Sequence, residues 1–260
     1  MLKKRNNLLW VISSLVLTVF ALCRCITTSE VSNDFRGNDF AGSATCGSCH
    51  KGVHDSYLNT AHFKTSAPAT KATVLGNFSA DKNTYFYRPT IKVVMEQRDT
   101  SLYQVAYANN VEKQANRFDV VMGSGTKAQT YLYWMEGKAY QLPVSYSVPA
   151  NSWVNSPGYP ATQVRFDRNI PIGCFECHSS YIKLTGNEVL GDRYINNFDN
   201  NRIIYGLDCE RCHGPAARHV TFHQENPKEK LSKFMTAYST MSRVQQVDMC
   251  AVCHSGLQET

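Results

Sequence analysis

Four copies of one five-residue pattern constrain this chain more than anything else in it. Cys46-Gly-Ser-Cys-His50, Cys174-Phe-Glu-Cys-His178, Cys209-Glu-Arg-Cys-His213 and Cys250-Ala-Val-Cys-His254 each place two cysteines three residues apart and a histidine directly after the second. Only 10 Cys and 8 His occur in the 260 residues, so composition alone would produce on the order of 0.01 such matches. Chance is excluded, and whatever the chain folds around must explain thiol, thiol and imidazole together.

Thiols at i and i+3 lie along one face of a helical turn, where both can reach the same edge of a flat macrocycle. The next residue then points its imidazole at a metal in the centre of that ring, the arrangement of c-type haem attachment. The pattern predicts four covalently attached haem c groups, with Cys46, Cys49, Cys174, Cys177, Cys209, Cys212, Cys250 and Cys253 as the attachment points. His50, His178, His213 and His254 are the proximal ligands. Four-thiolate zinc sites also use paired CxxC, and disulfides suit an exported chain. Neither requires a histidine after every pair.

Four histidines remain. His62 leaves the same helical region that carries His50, so it is expected to serve a neighbouring haem. His219 and His223 follow the third motif after Gly214 and Pro215, which end the motif turn and open a new helix. They form an i,i+4 pair on one side of it, aimed at other haems. His62, His219 and His223 are thus the candidate distal ligands. His54, four residues after His50, is expected to pack on its own porphyrin or face solvent. Bis-histidine ligation lacks the thioether of His/Met sites, so low reduction potentials are expected.

The first 25 residues read as an export signal. Lys3, Lys4 and Arg5 precede an apolar run from Leu8 to Leu22, short for a membrane span. Cys23 and Cys25 are alternative lipidation points, which leaves soluble and lipid-anchored outcomes equally open. Four cations and no acids lie in residues 1–25, so removing them lowers the formal charge from +6 to +2. That excludes a nucleic-acid-binding reading of the basic pI. Haem propionates are expected to make the holoprotein acidic. The expected location is the periplasm or another extracytoplasmic space.

Residues 26–44 read as an exposed polar linker, and 45–260 as the cytochrome domain. The motifs start at 46, 174, 209 and 250, so one haem is isolated in sequence and three are clustered. Residues 66–172 form a haem-free, β-rich insertion. Within it Tyr103, Val105 and Tyr107 share a face, as do Tyr140, Leu142, Val144 and Tyr146, and Glu136-Gly137 makes a turn. These features predict a small antiparallel sheet over 84–154. Beyond Pro171, short helices are expected. The fold class expected is mainly α, with a small antiparallel β insertion and a core packed by haems; the many tyrosines are assigned to porphyrin edges.

CGSCH with His62 downstream, GSGTKAQTYLYWMEGKAYQLPVSY followed by SPGYP, and CERCHGPAARH together resemble the multihaem c-type cytochromes related to the tetrahaem electron acceptor of hydroxylamine oxidoreductase. The resemblance spans about residues 44–260. It implies stacked haem pairs, electron transfer, His219 capping a haem other than that of its own motif, a distal role for His62 and, in some members, one haem without a second protein ligand. His54 falls where an aromatic or aliphatic residue is expected. The chain ends six residues after His254, where relatives often continue; this reads as a fragment, or as a subunit whose partner covers that end.

The leading functional expectation is an exported electron carrier passing electrons between redox protein partners, without a catalytic site of its own. The alternatives are an oxidoreductase acting on a small nitrogen or sulfur compound at a five-coordinate haem, and a haem subunit of a larger envelope complex.

Overall fold

Among the described residues ten strands precede the second motif. A computed structural model describes residues 34–254, apart from 192 and the side chain of 193. The export signal, with Cys23 and Cys25, lies outside the described residues. Two short helices, α1 (Ser43–Cys49) and α2 (Lys51–Tyr57), carry the first motif. Strand β1 (Ser66–Pro68) follows, then a meander of β2 (Thr84–Arg88), β3 (Ile91–Arg98), β4 (Ser101–Ala108) and β5 (Val111–Arg117). The chain then forms β6 (Val120–Met122), β7 (Ala128–Met135), β8 (Lys138–Gln141), β9 (Val144–Ser147) and β10 (Ser152–Asn155). These join β1 in a second sheet of order β1-β6-β7-β9-β10, with β8 also paired to β7.

The expected single sheet over 84–154 is therefore two sheets, packed face to face. Side chains alternate across each strand, and this alternation makes the second sheet a middle layer. Val121, Tyr131 and Tyr133 point to one side, where they meet Val93, Met95, Leu102 and Ala106 of the meander. Val120, Met122 and Leu132 point to the other. On β4 the face shared by Tyr103, Val105 and Tyr107 is the one turned away from this core. The core side is Leu102, Gln104 and Ala106. Buried Gln104 donates to Val144 O at 2.6 Å and accepts from Val144 N at 3.0 Å. That contact stands beside Pro143, where the strand expected over 138–146 breaks into β8 and β9 because proline has no N–H for the ladder. The Glu136-Gly137 turn is present, with φ of 52° and 74°, joining β7 to β8.

The expectation of a mainly α fold with a haem-packed core is overturned. Among the described residues the strands outnumber the helices, twelve to six α-helices, and the core is made of amino-acid side chains. Beyond Pro171 the chain does not turn wholly helical. After α3 (Ile172–His178), a long antiparallel hairpin, β11 (Ser179–Leu190) and β12 (Arg193–Tyr205), forms a third layer. The tyrosines belong largely to this β core. Tyr133 donates to Phe166 O, Tyr87 to Pro143 O at 3.0 Å and Tyr159 to Gln141 O at 2.5 Å. Each buries a large ring and satisfies its hydroxyl on backbone; burial pushes Tyr133 up to about 12.

The remaining helices are α4 (Cys209–His213), α5 (Ala217–Glu225) and α6 (Arg243–His254). Gly214, at φ 77°, ends α4, and α5 opens two residues after Pro215. None of α1, α2, α5 and α6 has a buried residue. No helix of the described residues is long and apolar enough to cross a membrane.

Leu142, fully buried between the two sheets, reports on the β core. Leu142→Ala is expected to cost about 2–5 kcal/mol in denaturant unfolding followed by far-ultraviolet circular dichroism. A cost under about 0.5 kcal/mol, the range of surface substitutions, would contradict this packing.

Candidate functional site

The second motif is fastened to the β layers by one of the two residues between its cysteines. Phe175 is 1% exposed and stacks on Trp134 at 5.8 Å, with Phe198 of β12 against it at 5.2 Å. His178 follows at the end of α3. Its Nδ1 shares a 2.7 Å hydrogen bond with Thr65 Oγ1, and Ser66 Oγ donates to His178 O at 2.6 Å. Burial holds His178 below its ordinary 6.5, so its imidazole stays neutral, the form that binds metal.

The third motif is fastened by its own intervening residue, Glu210, whose side chain is 0% exposed. Its carboxylate accepts from Ala41 N at 2.8 Å, Gly42 N at 2.9 Å and Ala216 N at 2.8 Å, and from Arg36 Nη2 at 3.1 Å. Arg36 also binds Asp208 through both terminal nitrogens, at 3.1 and 2.7 Å, and Asp34 at 2.9 Å. Asp208 in turn caps α4 by accepting from Arg211 N at 2.9 Å. Residues 34–42 are therefore not the exposed linker expected over 26–44; they bring a cation to three carboxylates.

These anchors draw the motifs together. Cys209 N donates to Ser43 Oγ at 3.3 Å, joining the third motif to the first. Arg211 Nη2 donates to Glu176 O at 2.7 Å, and Cys253 Sγ to the same carbonyl at 3.9 Å, joining the third and fourth motifs to the second. The Cys46 thiol lies against Cys209. Their hydrogen bond raises Cys46 and lowers Cys209 to about 6. Cys177 meets Cys253, and Cys212 stands near Cys250 and Cys253. Thus the first motif, which starts 128 residues before the second, is joined to it through the third.

The imidazoles meet in pairs. His50 and His219 face each other with ring centroids 6.4 Å apart and planes 19° from parallel. His62 and His254 stand 6.0 Å apart at 70°. An imidazole nitrogen binds a first-row metal at about 2 Å and lies roughly 1 Å from its ring centroid, so two rings across one ion have centroids about 6 Å apart. Both pairs match. His219 Nδ1 is 2.9 Å from Lys233 O. A carbonyl only accepts, so Nδ1 is the donor in this contact and Nε2 is the ring nitrogen turned to other partners. Among the described residues no three His, Cys, Asp or Glu converge as a metal site. Two imidazoles at such a separation would suit an ion whose other positions are filled by a macrocycle.

His223 shares the face of α5 with His219, their rings 4.6 Å apart, and its buried Nε2 has no hydrogen-bond partner. No imidazole faces it as His50 faces His219. Neither His178 nor His213 is faced by another imidazole among the described residues. His54 packs on its own motif helix: a Cβ on Gly47 would lie 3.1 Å from the His54 ring. His62 lies in a turn beyond the end of α2 rather than on the helix. Leu207 N donates to His62 O at 3.0 Å, and Gly206, at φ 67°, passes so close that a Cβ would stand 1.9 Å from Phe63 O.

Arg36, Asp34, Asp208, Glu210, Thr65 and Gly206 hold the motifs and the His62 turn in place, and sequence reasoning missed them. Only Asp208, directly before a helical motif, had a legible signal as an N-cap.

No family model and no curated protein matches this chain. Neither comparison supports the specific resemblance to the hydroxylamine-linked cytochromes. Among solved structures the outer cell wall cytochrome OcwA matches over 82% of this chain and 36% of its own, at 17% identity and a TM-score of 0.45. A similarity this remote leaves the fold and function to be argued from the residues themselves.

Burial would raise Asp34, but hydrogen bonds and charge from Arg36 outweigh it and hold the carboxyl below its ordinary 3.8. The folded value is the lower one, so this contribution is complete above the ordinary value and lost as pH falls through the folded one. Amide exchange protection at Ala41 and Gly42 is expected to be constant from pH 7 to about 5 and to fall below about 4. Asp34→Asn should weaken protection already at neutral pH; protection unchanged in that variant would contradict the role given to this ion pair.

Proposed function

We propose that this chain is an extracytoplasmic tetrahaem c-type cytochrome that passes electrons between redox partners. The observation that carries the reading is the pairing of His50 with His219 and His62 with His254 at the separation of two axial ligands. Cys46 and Cys49 would hold the haem of His50, and Cys250 and Cys253 that of His254. Cys174 and Cys177 would attach a haem to His178, and Cys209 and Cys212 one to His213. His223, with its unpartnered Nε2, is the candidate distal ligand for one of the latter two. Haem supplies the ferric–ferrous couple, and the chain supplies spacing, burial and axial ligands. Exposed Val53, Val244, Val247 and Val252 on α2 and α6 give these helices apolar surface for porphyrin faces.

The cysteine contacts set an order. Cys46 touches Cys209, Cys212 neighbours the fourth motif, and Cys253 touches Cys177. Electrons would pass from the first haem to the third, and from the third to the fourth and the second, since the third motif is joined to both. The export signal, with or without a lipid on Cys23 or Cys25, would place this path outside the cytoplasm, either alone or within a larger envelope complex.

A second reading rests on His178 and His213, which no imidazole faces. An iron left open there could bind a small nitrogen or sulfur compound and make the protein an oxidoreductase.

Near-parallel imidazoles interact with the same iron d orbital and split the d-orbital pair; near-perpendicular ones treat both alike and leave them close in energy. Oxidised protein is therefore expected to give a rhombic low-spin electron paramagnetic resonance signal from His50/His219 and a large-gmax signal from His62/His254. A pyridine haemochromogen assay should give four haems per chain. Gly206→Ala, which pushes the Phe63 carbonyl and so the His62 turn, should weaken the large-gmax signal at least twofold and spare the rhombic one. Fewer than four haems, or only high-spin iron, would contradict the carrier; a high-spin signal that shifts with nitric oxide would favour the second reading.

A further inference from the structure

One carboxylate touches the starting ends of both helices whose histidines face each other. Glu210 accepts from Gly42 N, the residue directly before α1, at 2.9 Å and from Ala41 N at 2.8 Å. Helix α1 is seven residues long and delivers His50 at its C-terminal end. The same carboxylate accepts at 2.8 Å from Ala216 N, the residue directly before α5. His219 lies in the first turn of α5. Both imidazoles are thus referenced to Glu210 through less than nine residues of mostly helical backbone each. Glu210 itself sits between Cys209 and Cys212, in the motif that attaches a different haem.

Its depth makes the reference firm. The side chain is 0% exposed, and Arg36, itself 7% exposed, binds one oxygen at 3.1 Å. Hydrogen bonds to an ionised acceptor are about twice as strong as neutral ones, and a buried carboxylate that loses its donors is costly. The carboxylate therefore resists displacement, and the helix ends bonded to it move with it or not at all.

We propose that Glu210 is a positioning residue for the His50/His219 pair: the carboxylate inside the third motif holds the starts of the two helices that present these imidazoles. The inference rests on the reading that these two imidazoles bind one iron. It deepens that reading by naming what fixes their 6.4 Å separation and 19° angle.

The test uses full-length holoprotein. Glu210→Gln keeps the size of the side chain but turns one oxygen into an NH2 group, which cannot accept from a backbone N–H. Cys209, Cys212 and His213 are untouched, so four haems per chain are expected to remain. The rhombic signal of the near-parallel pair should lose at least half its intensity or shift its g values, with the large-gmax signal unchanged. Arg36→Ala, which removes the cation but leaves all three backbone donors, should give the same change to a smaller extent and serves if Glu210→Gln yields no holoprotein. A rhombic signal unaltered in the variant obtained, or both signals altered together, would overturn the positioning role. His219→Ala separates the two levels. If it abolishes the rhombic signal while the Glu210 and Arg36 variants do not touch it, the positioning role alone fails. If the rhombic signal survives His219→Ala, the axial pairing fails and this inference with it.

Discussion

The arrangement of the first and third motifs depends on a buried carboxylate that is shared. Glu210 bonds three backbone N–H groups drawn from two distant segments, and Arg36 joins it to Asp208 and Asp34. Burying one cation with three carboxylates is expensive unless every oxygen is used, and removing one member of such a cluster typically costs about 3–5 kcal/mol. The expense is met by geometry: the donors come from residues 36–42 and 216, so the cluster closes a loop between the start of the described chain and its third motif. The Cys209 N–Ser43 Oγ and Ala217 N–Asp39 O bonds reinforce the same closure.

The second constraint is the β scaffold. A middle sheet buries both faces, one against the meander and the other against the β11–β12 hairpin and α3. Phe175 belongs to that second interface, so the second motif is part of the hydrophobic core. The first, third and fourth motifs instead hang on polar contacts, through Ser43, Arg211 and the Glu176 carbonyl. The two residues between each pair of cysteines thereby do different work: Phe175 packs, Glu210 binds charge, and Gly47 leaves room for the His54 ring.

Much of the site was legible in the residues, and the reasons are local. The CxxCH spacing is a property of five consecutive residues. His219 and His223 share a helix face because Gly214 and Pro215 set where that helix begins. What could not be read was which imidazole meets which. His50 and His219 are brought together by Glu210, whose burial within an otherwise exposed motif helix has no sequence signal. Residues 34–42 looked polar because they are; their partners lie more than 160 residues away. The mainly α expectation failed at β12 for a similar reason. Its run of asparagines is disfavoured in strands, yet Asn196 is buried, accepting from Ile172 N at 2.7 Å and donating to Asn187 Oδ1 at 2.7 Å. Register shifts near Ser179, Ile182 and Leu184 also break the period of two on β11. The turn at Glu136-Gly137 and the alternation on β4 were visible because they need only neighbouring residues.

The central claim is that the histidine pairs are axial pairs. Anomalous diffraction from crystals of the oxidised holoprotein, collected at the iron absorption edge, locates iron without reference to any assumed ligand. Four iron peaks are predicted, one midway between the His50 and His219 rings and one midway between those of His62 and His254. The absence of an iron peak from either midpoint would contradict the account.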